Sequence, residues 1–306
     1  MQNRRRYRQV STHVQTRARH RIGLAPLALL ALLLYAAFLI YPLVQSFITS
    51  LTNRNVLNAT NAFIGFANFA ELVHDERFLR SLGFTLVVVL FVTVVSNIFG
   101  LLFAMLLNGP ARHYKIMRTL VFIPQVLSGV IVAFIWRSIL TENGLLNSVL
   151  QGTGLTQQPI SWLGTPALAT LSICVVVSWM TIAFTTVVYT AALQSVPAEL
   201  HEAARMDGAG PLNRFCNVTL PMIAPGTTIS VTLTLITTLK LFDVIAVLTG
   251  GGPANSTKSV AFYLIDVAFT SNRFGYASAI AMVLLALTAV LAYGVTYLLR
   301  RREAHL

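Results

Sequence analysis

Apolar residues run almost unbroken along six stretches of this chain, roughly 24–51, 82–108, 118–140, 167–194, 222–248 and 274–300, and polar residues collect between them. Each run supplies the about 20 helical residues that a hydrocarbon core about 30 Å thick demands. Unpaired backbone groups are costly in lipid, and these runs are too long and continuous for barrel strands. The pattern therefore predicts an all-α polytopic membrane protein with six transmembrane helices, flanked by a basic tail over 1–23 and a short tail over 301–306.

Composition agrees with the pattern. Of 306 residues 56% are hydrophobic and only 10% charged, with a mean hydropathy of +0.72, where a soluble domain carries about 25% charged residues. Placing both termini in the cytoplasm puts fifteen Lys and Arg residues inside and six outside, with Lys240 left within a span. This bias sets the expected orientation. Without the Arg-rich tail it shrinks to eight against six. The net charge of +12 is read as topogenic and as attraction to anionic membrane lipid, with no nucleic acid as partner. The run from Leu24 to Leu51 exceeds a signal-peptide core of about 7–15 residues and is expected to stay on as the first span. Cys174 and Cys216 fall at different depths and lack a His cluster, so neither a disulfide nor a metal site is expected.

The polar connections carry less. The segment 52–81 holds Phe66, Phe69, Leu72 and Phe78 among charges and predicts a short surface helix; 141–166 suggests interfacial loops with a Trp anchor. In 249–273, Gly252, Lys258 and Ser259 have the outer spacing of a phosphate-binding loop, but Thr257 stands where its inner glycine belongs. No buried strand precedes it, so nucleotide binding is not expected there. No acid, base or metal constellation marks a catalytic centre, which argues against a polytopic membrane enzyme.

The segment 195–221 differs, being polar and glycine-punctuated between two apolar runs. Pro197 suits a first helical turn, AELHEAARM is built of good helix formers, and Gly208, Gly210 and Pro211 stop it. A helix of about three turns is predicted, with Leu200, Ala203 and Ala204 on a narrow apolar side. On these grounds alone it is an amphipathic connector or a docking element. Its text, EAARMDGAGPLNRFCNVTLP from Glu202 to Pro221, resembles the signature loop of permease subunits of bacterial ABC importers. Glu202, Ala203, Ala204, Gly208, Leu220 and Pro221 match the fixed positions, and Asp207 and Ala209 the commoner form. FIPQVLSGVIVAFIWRSILTENGLLN and LFDVIAVLTGGGP are similar to the carbohydrate-importing branch, and within it to the first of two paired permeases of the maltose/glycerol-3-phosphate type.

The resemblance implies the type I ABC importer permease fold over 24–300 and a multi-pass place in the bacterial cell membrane. It also implies a second permease, a dimer of ATP-binding subunits and an extracytoplasmic solute-binding protein as partners. ATP and Mg would be used by the ATPase subunits and no cofactor bound by this chain. Segment 195–221 would couple to the ATPase, with Glu202 as principal polar contact.

Ser178, Thr181, Thr185 and Tyr189 form one helical stripe, and Thr227, Ser230, Thr234 and Thr238 another. Two readings stand: helix–helix hydrogen bonding, or a pathway for a sugar with Trp179 or Phe184 offering a ring face. Through the resemblance, Met180, Thr181, Phe184, Thr234, Thr238 and Leu241 are the pathway candidates. Lys240 and Asp243, three apart on the expected fifth helix and about 12 and about 7 Å inside its outer end, are expected to form a structural ion pair or to snorkel, or else to line the outward gate. Those two charges also keep open an ion-gradient-driven transporter or channel, although no inverted repeat with broken helices is evident.

Overall fold

The computed structural model describes residues 26–55, 61–109 and 111–303. The basic tail and residues 304–306 lie outside the described residues.

Thirteen helical segments account for most of it. The first, α1 (Pro26–Ser50), contains a π-helical turn at Ala36–Ile40. After α2 (Ala67–His74) comes α3 (Glu76–Leu106). The next pair is α4 (Arg112–Val126) and α5 (Gly129–Leu140), followed by the short α6 (Leu145–Gly152) and the long α7 (Pro166–Gln194). Then come α8 (Ala198–Met206), α9 (Pro211–Met222), α10 (Ala224–Leu239) and α11 (Asp243–Leu248). The chain closes with α12 (Val260–Phe269) and α13 (Phe274–Glu303). Five helical stretches are long and apolar enough to cross a membrane, or six if the bent pair α9 and α10 is one span.

The expected spans are altered in three places. The second begins at Glu76 rather than 82, because the Asp75 carboxylate accepts from the Arg77 amide at 2.9 Å and the Phe78 amide at 3.4 Å and so caps α3. The third is not continuous over 118–140. Pro124 lies in the last turn of α4, Leu127 and Ser128 are extended, and the Ser128 side chain caps the new helix at the Ile131 amide.

The fifth span is interrupted twice. A bend of 67° separates α9 from α10, and helix geometry stops at Leu239, resuming only at Asp243. The second break frees the Leu241 carbonyl, which accepts from the Ser259 hydroxyl at 2.6 Å. A buried carbonyl must find such a partner. Lys240 and Asp243 therefore do not share a helix, and they form no ion pair. The ion pairs among the described residues are Arg80–Glu76, Lys258–Asp266 and Arg273–Glu71.

Four apolar cores hold the bundle, two of them large. One joins Phe84, Val88 and Val92 of α3 to Val132 of α5, Ile173 and Val176 of α7, and Ile245 and Leu248 of α11. The other joins Leu72, Phe78, Val260, Tyr263, Tyr276 and Ile280. Helices α3 and α7 run side by side and approach closely at Gly100, where an added methyl would overlap Thr185. Small residues let helices touch in lipid, where apolar burial alone gives no preference. By contrast α1 packs on α13 through Tyr41–Ser50, while Leu29, Leu33 and Phe38 are exposed.

The end of the bundle remote from 195–221, here the distal end, is cross-braced. Asp75 accepts the hydroxyls of Tyr263 and Tyr276, each at 2.6 Å. Arg273 forks onto Glu71 at 2.8 and 2.6 Å. Trp162 is no free interfacial anchor: its indole donates to Asn147 at 3.2 Å, and Asn147 also bonds Ile160 both ways. The phosphate-loop-like stretch is a folded turn in which Lys258 pairs with Asp266 and Ser259 caps α12.

Candidate functional site

Helix α8 starts after Pro197 and ends in a left-handed glycine. Gly208 has φ +78°, its amide donates to the Arg205 carbonyl at 3.0 Å, and the Ala209 amide donates to the Ala204 carbonyl at 2.9 Å. This pair of bonds closes the helix and satisfies carbonyls that would otherwise point at nothing. Space around Gly208 is open, so its conformation, not crowding, demands glycine.

The helix so made is presented, not packed. Glu202, Ala203, Arg205, Asp207 and Gly208 are exposed and Met206 is 89% exposed, while Ala204 and Ala209 are half-buried. Leu200, expected on the apolar side, is 40% exposed. Glu202 makes no hydrogen bond or ion pair to the described residues.

The segment after α8 is anchored. Leu220 packs on a buried group of Ala104, Tyr189 and Ile223, drawn from α3, α7 and the bend before α10. Pro221 is half-buried at that bend. Thr228, on the second turn of α10, donates to Glu303 near the end of α13. Close contacts thus link the segment after α8 to α3, α7 and α10, and α10 in turn to α13.

The pathway candidates separate into three groups. On α7, Ser178, Thr185 and Tyr189 face α3: Thr185 donates to the Ser96 carbonyl at 2.7 Å and Tyr189 to Asn97 at 3.0 Å, beside Thr227 and Ser230. The Thr185 and Tyr189 hydroxyls join helices, whereas the buried Ser178 hydroxyl has no partner. Thr181 and Phe184 are half-buried, the Thr181 hydroxyl donating to its own Val177 carbonyl at 2.7 Å. Trp179 is 39% exposed and meets Trp136 edge to face at 5.7 Å. Met180 and Leu241 lie against the first core.

On α10, Thr234 and Thr238 are buried. Thr238 donates to the Thr234 carbonyl at 2.8 Å, and the Thr234 hydroxyl has no partner. Lys240 and Asp243 are exposed at the break. Asp243 lies against Gly129, where a methyl would overlap its carboxylate, so it faces the start of α5, not Lys240.

Several structural residues escaped the sequence. Arg118 clamps the Leu107 carbonyl with two nitrogens at 2.8 and 2.7 Å and reaches the Gly109 carbonyl at 3.3 Å. Asp75 is another. Burial opposes its ionisation, but hydrogen bonds from Tyr263, Tyr276 and the Arg77 and Phe78 amides outweigh that and hold its carboxyl below the usual range. Only an Asp preceding a helix-forming run hinted at it.

Residues 96–304, which hold α8, its anchors and every pathway candidate, match the family described as binding-protein-dependent transport system inner membrane component. The chain belongs to that family. This inner-membrane component is 34% identical to a multiple sugar-binding transport system permease protein of Streptococcus mutans, with 85% of this chain and 89% of the relative covered. It is 34% identical to a diacetylchitobiose uptake system permease protein of Streptomyces coelicolor, covering 85% and 77%. Its fold matches the crystal structure of a bacterial alginate ABC transporter in complex with an alginate pentasaccharide-bound periplasmic protein, with a TM-score of 0.82 at 22% identity over 94% of this chain and 97% of that one. The membership sets aside the ion-gradient-driven alternative and makes the protein a multi-pass membrane transport subunit.

Proposed function

We propose that this chain is one of two permeases in an ABC importer for a sugar, possessing no ATPase site of its own. An ATP-binding subunit dimer, using ATP and Mg, engages α8 in the cytoplasm, where both termini also lie. The reading rests on a nine-residue helix left exposed, yet tied through Leu220 and Ile223 to the spans on either side of it.

Closure of the ATPase pair pushes α8 sideways. The stop at Gly208 and the packed bend at Ile223 turn that displacement into tilt of α7 and α10, which alternates access to a path beside Trp179, Phe184 and the break at Lys240. A binding protein delivers the solute at the distal end. Sugar as solute rests on the sugar-transport names of relatives 34% identical to this chain, and on ring faces and hydroxyls that suit carbohydrate.

Glu202→Ala tests the lever. In vesicles holding the assembled transporter, ATP-driven uptake should fall about tenfold or more, as loss of a charge-assisted contact implies, with permease assembly unchanged. Uptake and ATP dependence equal to wild type would refute it.

A further inference from the structure

The distal end holds a cavity of about 360 Å³ that the transport reading does not use. Arg77, Arg80 and Lys258 line it against one carboxylate, Asp266. Arg80 is held by the exposed Glu76 at 2.9 Å and Lys258 by Asp266 at 2.5 Å. Arg77 forms no ion pair among the described residues. Asp75 stands behind Tyr263, its charge already satisfied by two phenols and two amides.

The opposite wall is a constrained turn. Ala254 and Asn255 both adopt left-handed backbone, at φ 50° and 60°, which asparagine takes readily but alanine only when its surroundings insist. Those surroundings are the Thr257 hydroxyl on the Gly252 carbonyl at 2.6 Å and the Ser256 amide on the Pro253 carbonyl at 2.9 Å. The turn sets Ser256 in the lining with its hydroxyl oxygen buried and without a partner. The Ser256 hydroxyl therefore has a bond left to offer.

We propose that this cavity binds a phosphate-class oxyanion, borne by a phospholipid headgroup or free in solution. Arg77 forks onto it, Lys258 adds a second cation and the Ser256 hydroxyl donates a third bond. A guanidinium matches the spacing of phosphate oxygens, and a lysine serves as a point charge beside it. The cavity opens at the first turn of the membrane-crossing α3, the height at which lipid headgroups meet a span.

The test uses the assembled transporter, delipidated in detergent, and native mass spectrometry. Wild type, Arg77→Gln and Ser256→Ala are titrated with dioleoylphosphatidylglycerol, with dioleoylglycerol, which keeps the tails and lacks the phosphate, and with inorganic phosphate. Binding of the phospholipid or of phosphate should weaken about tenfold in Arg77→Gln and severalfold in Ser256→Ala, with dioleoylglycerol unaffected. Variant-sensitive binding of the phospholipid alone assigns the site to lipid; variant-sensitive binding of phosphate itself assigns it to the free ion. Three results would overturn the proposal: no saturable binding of either, equal binding by all three proteins, or a loss confined to association with the solute-binding protein, which would make the cluster a surface for an acidic protein.

Discussion

At the distal end Asp75, Glu71, Asn147 and Asp266 each bond residues far away in sequence or in another turn, and the side chains close on one another. Around α8, Glu202, Arg205 and Asp207 reach into solvent, and only the helix's own backbone bonds define its shape. Asp75, Glu71, Asn147 and Asp266 are thus tied up internally at one end, while the charged side chains of α8 are left free at the other. A polar group bonded within the fold stabilises it; one left exposed contributes little to stability and is available to a partner. Substitutions at the two ends should therefore be read by different instruments: melting temperature for the first, coupling for the second.

The sharpest break is Asp75→Ala. It strands two tyrosine hydroxyls and uncaps α3, and should lower the stability of the detergent-solubilised protein by about 3 kcal/mol, seen as a drop in thermal midpoint. A midpoint equal to wild type would mean the brace is ornamental.

The same carboxyl makes a pH prediction. Because its folded pKa lies below the ordinary value, its stabilisation is complete above the usual carboxylate range and is lost as pH falls through the lowered pKa. Acid titration of the thermal midpoint should show a decline below about pH 4 that is absent in Asp75→Ala. Parallel acid limbs in the two proteins would contradict the assignment.

Gly208→Ala comes next. With open space around it, the cost is conformational, about 1 kcal/mol, and confined to the end of α8. Uptake per ATP hydrolysed should fall while the midpoint hardly moves; the reverse outcome would make Gly208 a determinant of the fold instead of the lever. Smallest of all, Glu202→Gln should shift the midpoint by less than about 0.5 kcal/mol.

The two ends also differ in how much the sequence discloses. The lever is local: Pro197, a run of helix formers and Gly208 lie within a dozen residues, and each acts through its own backbone preference. The brace is not. Asp75 meets Tyr263 and Tyr276 across 188 and 201 residues, a distance no periodicity spans. Breaks in the spans divide in the same way. Pro124 marks the third-span break locally, whereas the stop after Leu239 contains neither Gly nor Pro and is accompanied by a bond from the distant Ser259 to the freed Leu241 carbonyl. The hydroxyl stripes by themselves fit both glue and pathway; on α7 the bonds from Thr185 and Tyr189 to α3 make those two hydroxyls glue.

The most direct test of the lever is a cross-link. In a Cys216→Ser background, which removes the exposed native thiol and leaves the buried Cys174, Ala203→Cys is alkylated with a short thiol-reactive photo-cross-linker, whose other end inserts on illumination into whatever chain it touches in the assembled transporter. A covalent product between permease and ATP-binding subunit is expected, with a yield that changes when ATP is added. An Ala203→Cys thiol that stays as reactive in the assembly as in the isolated permease, and yields no such product, would contradict the lever.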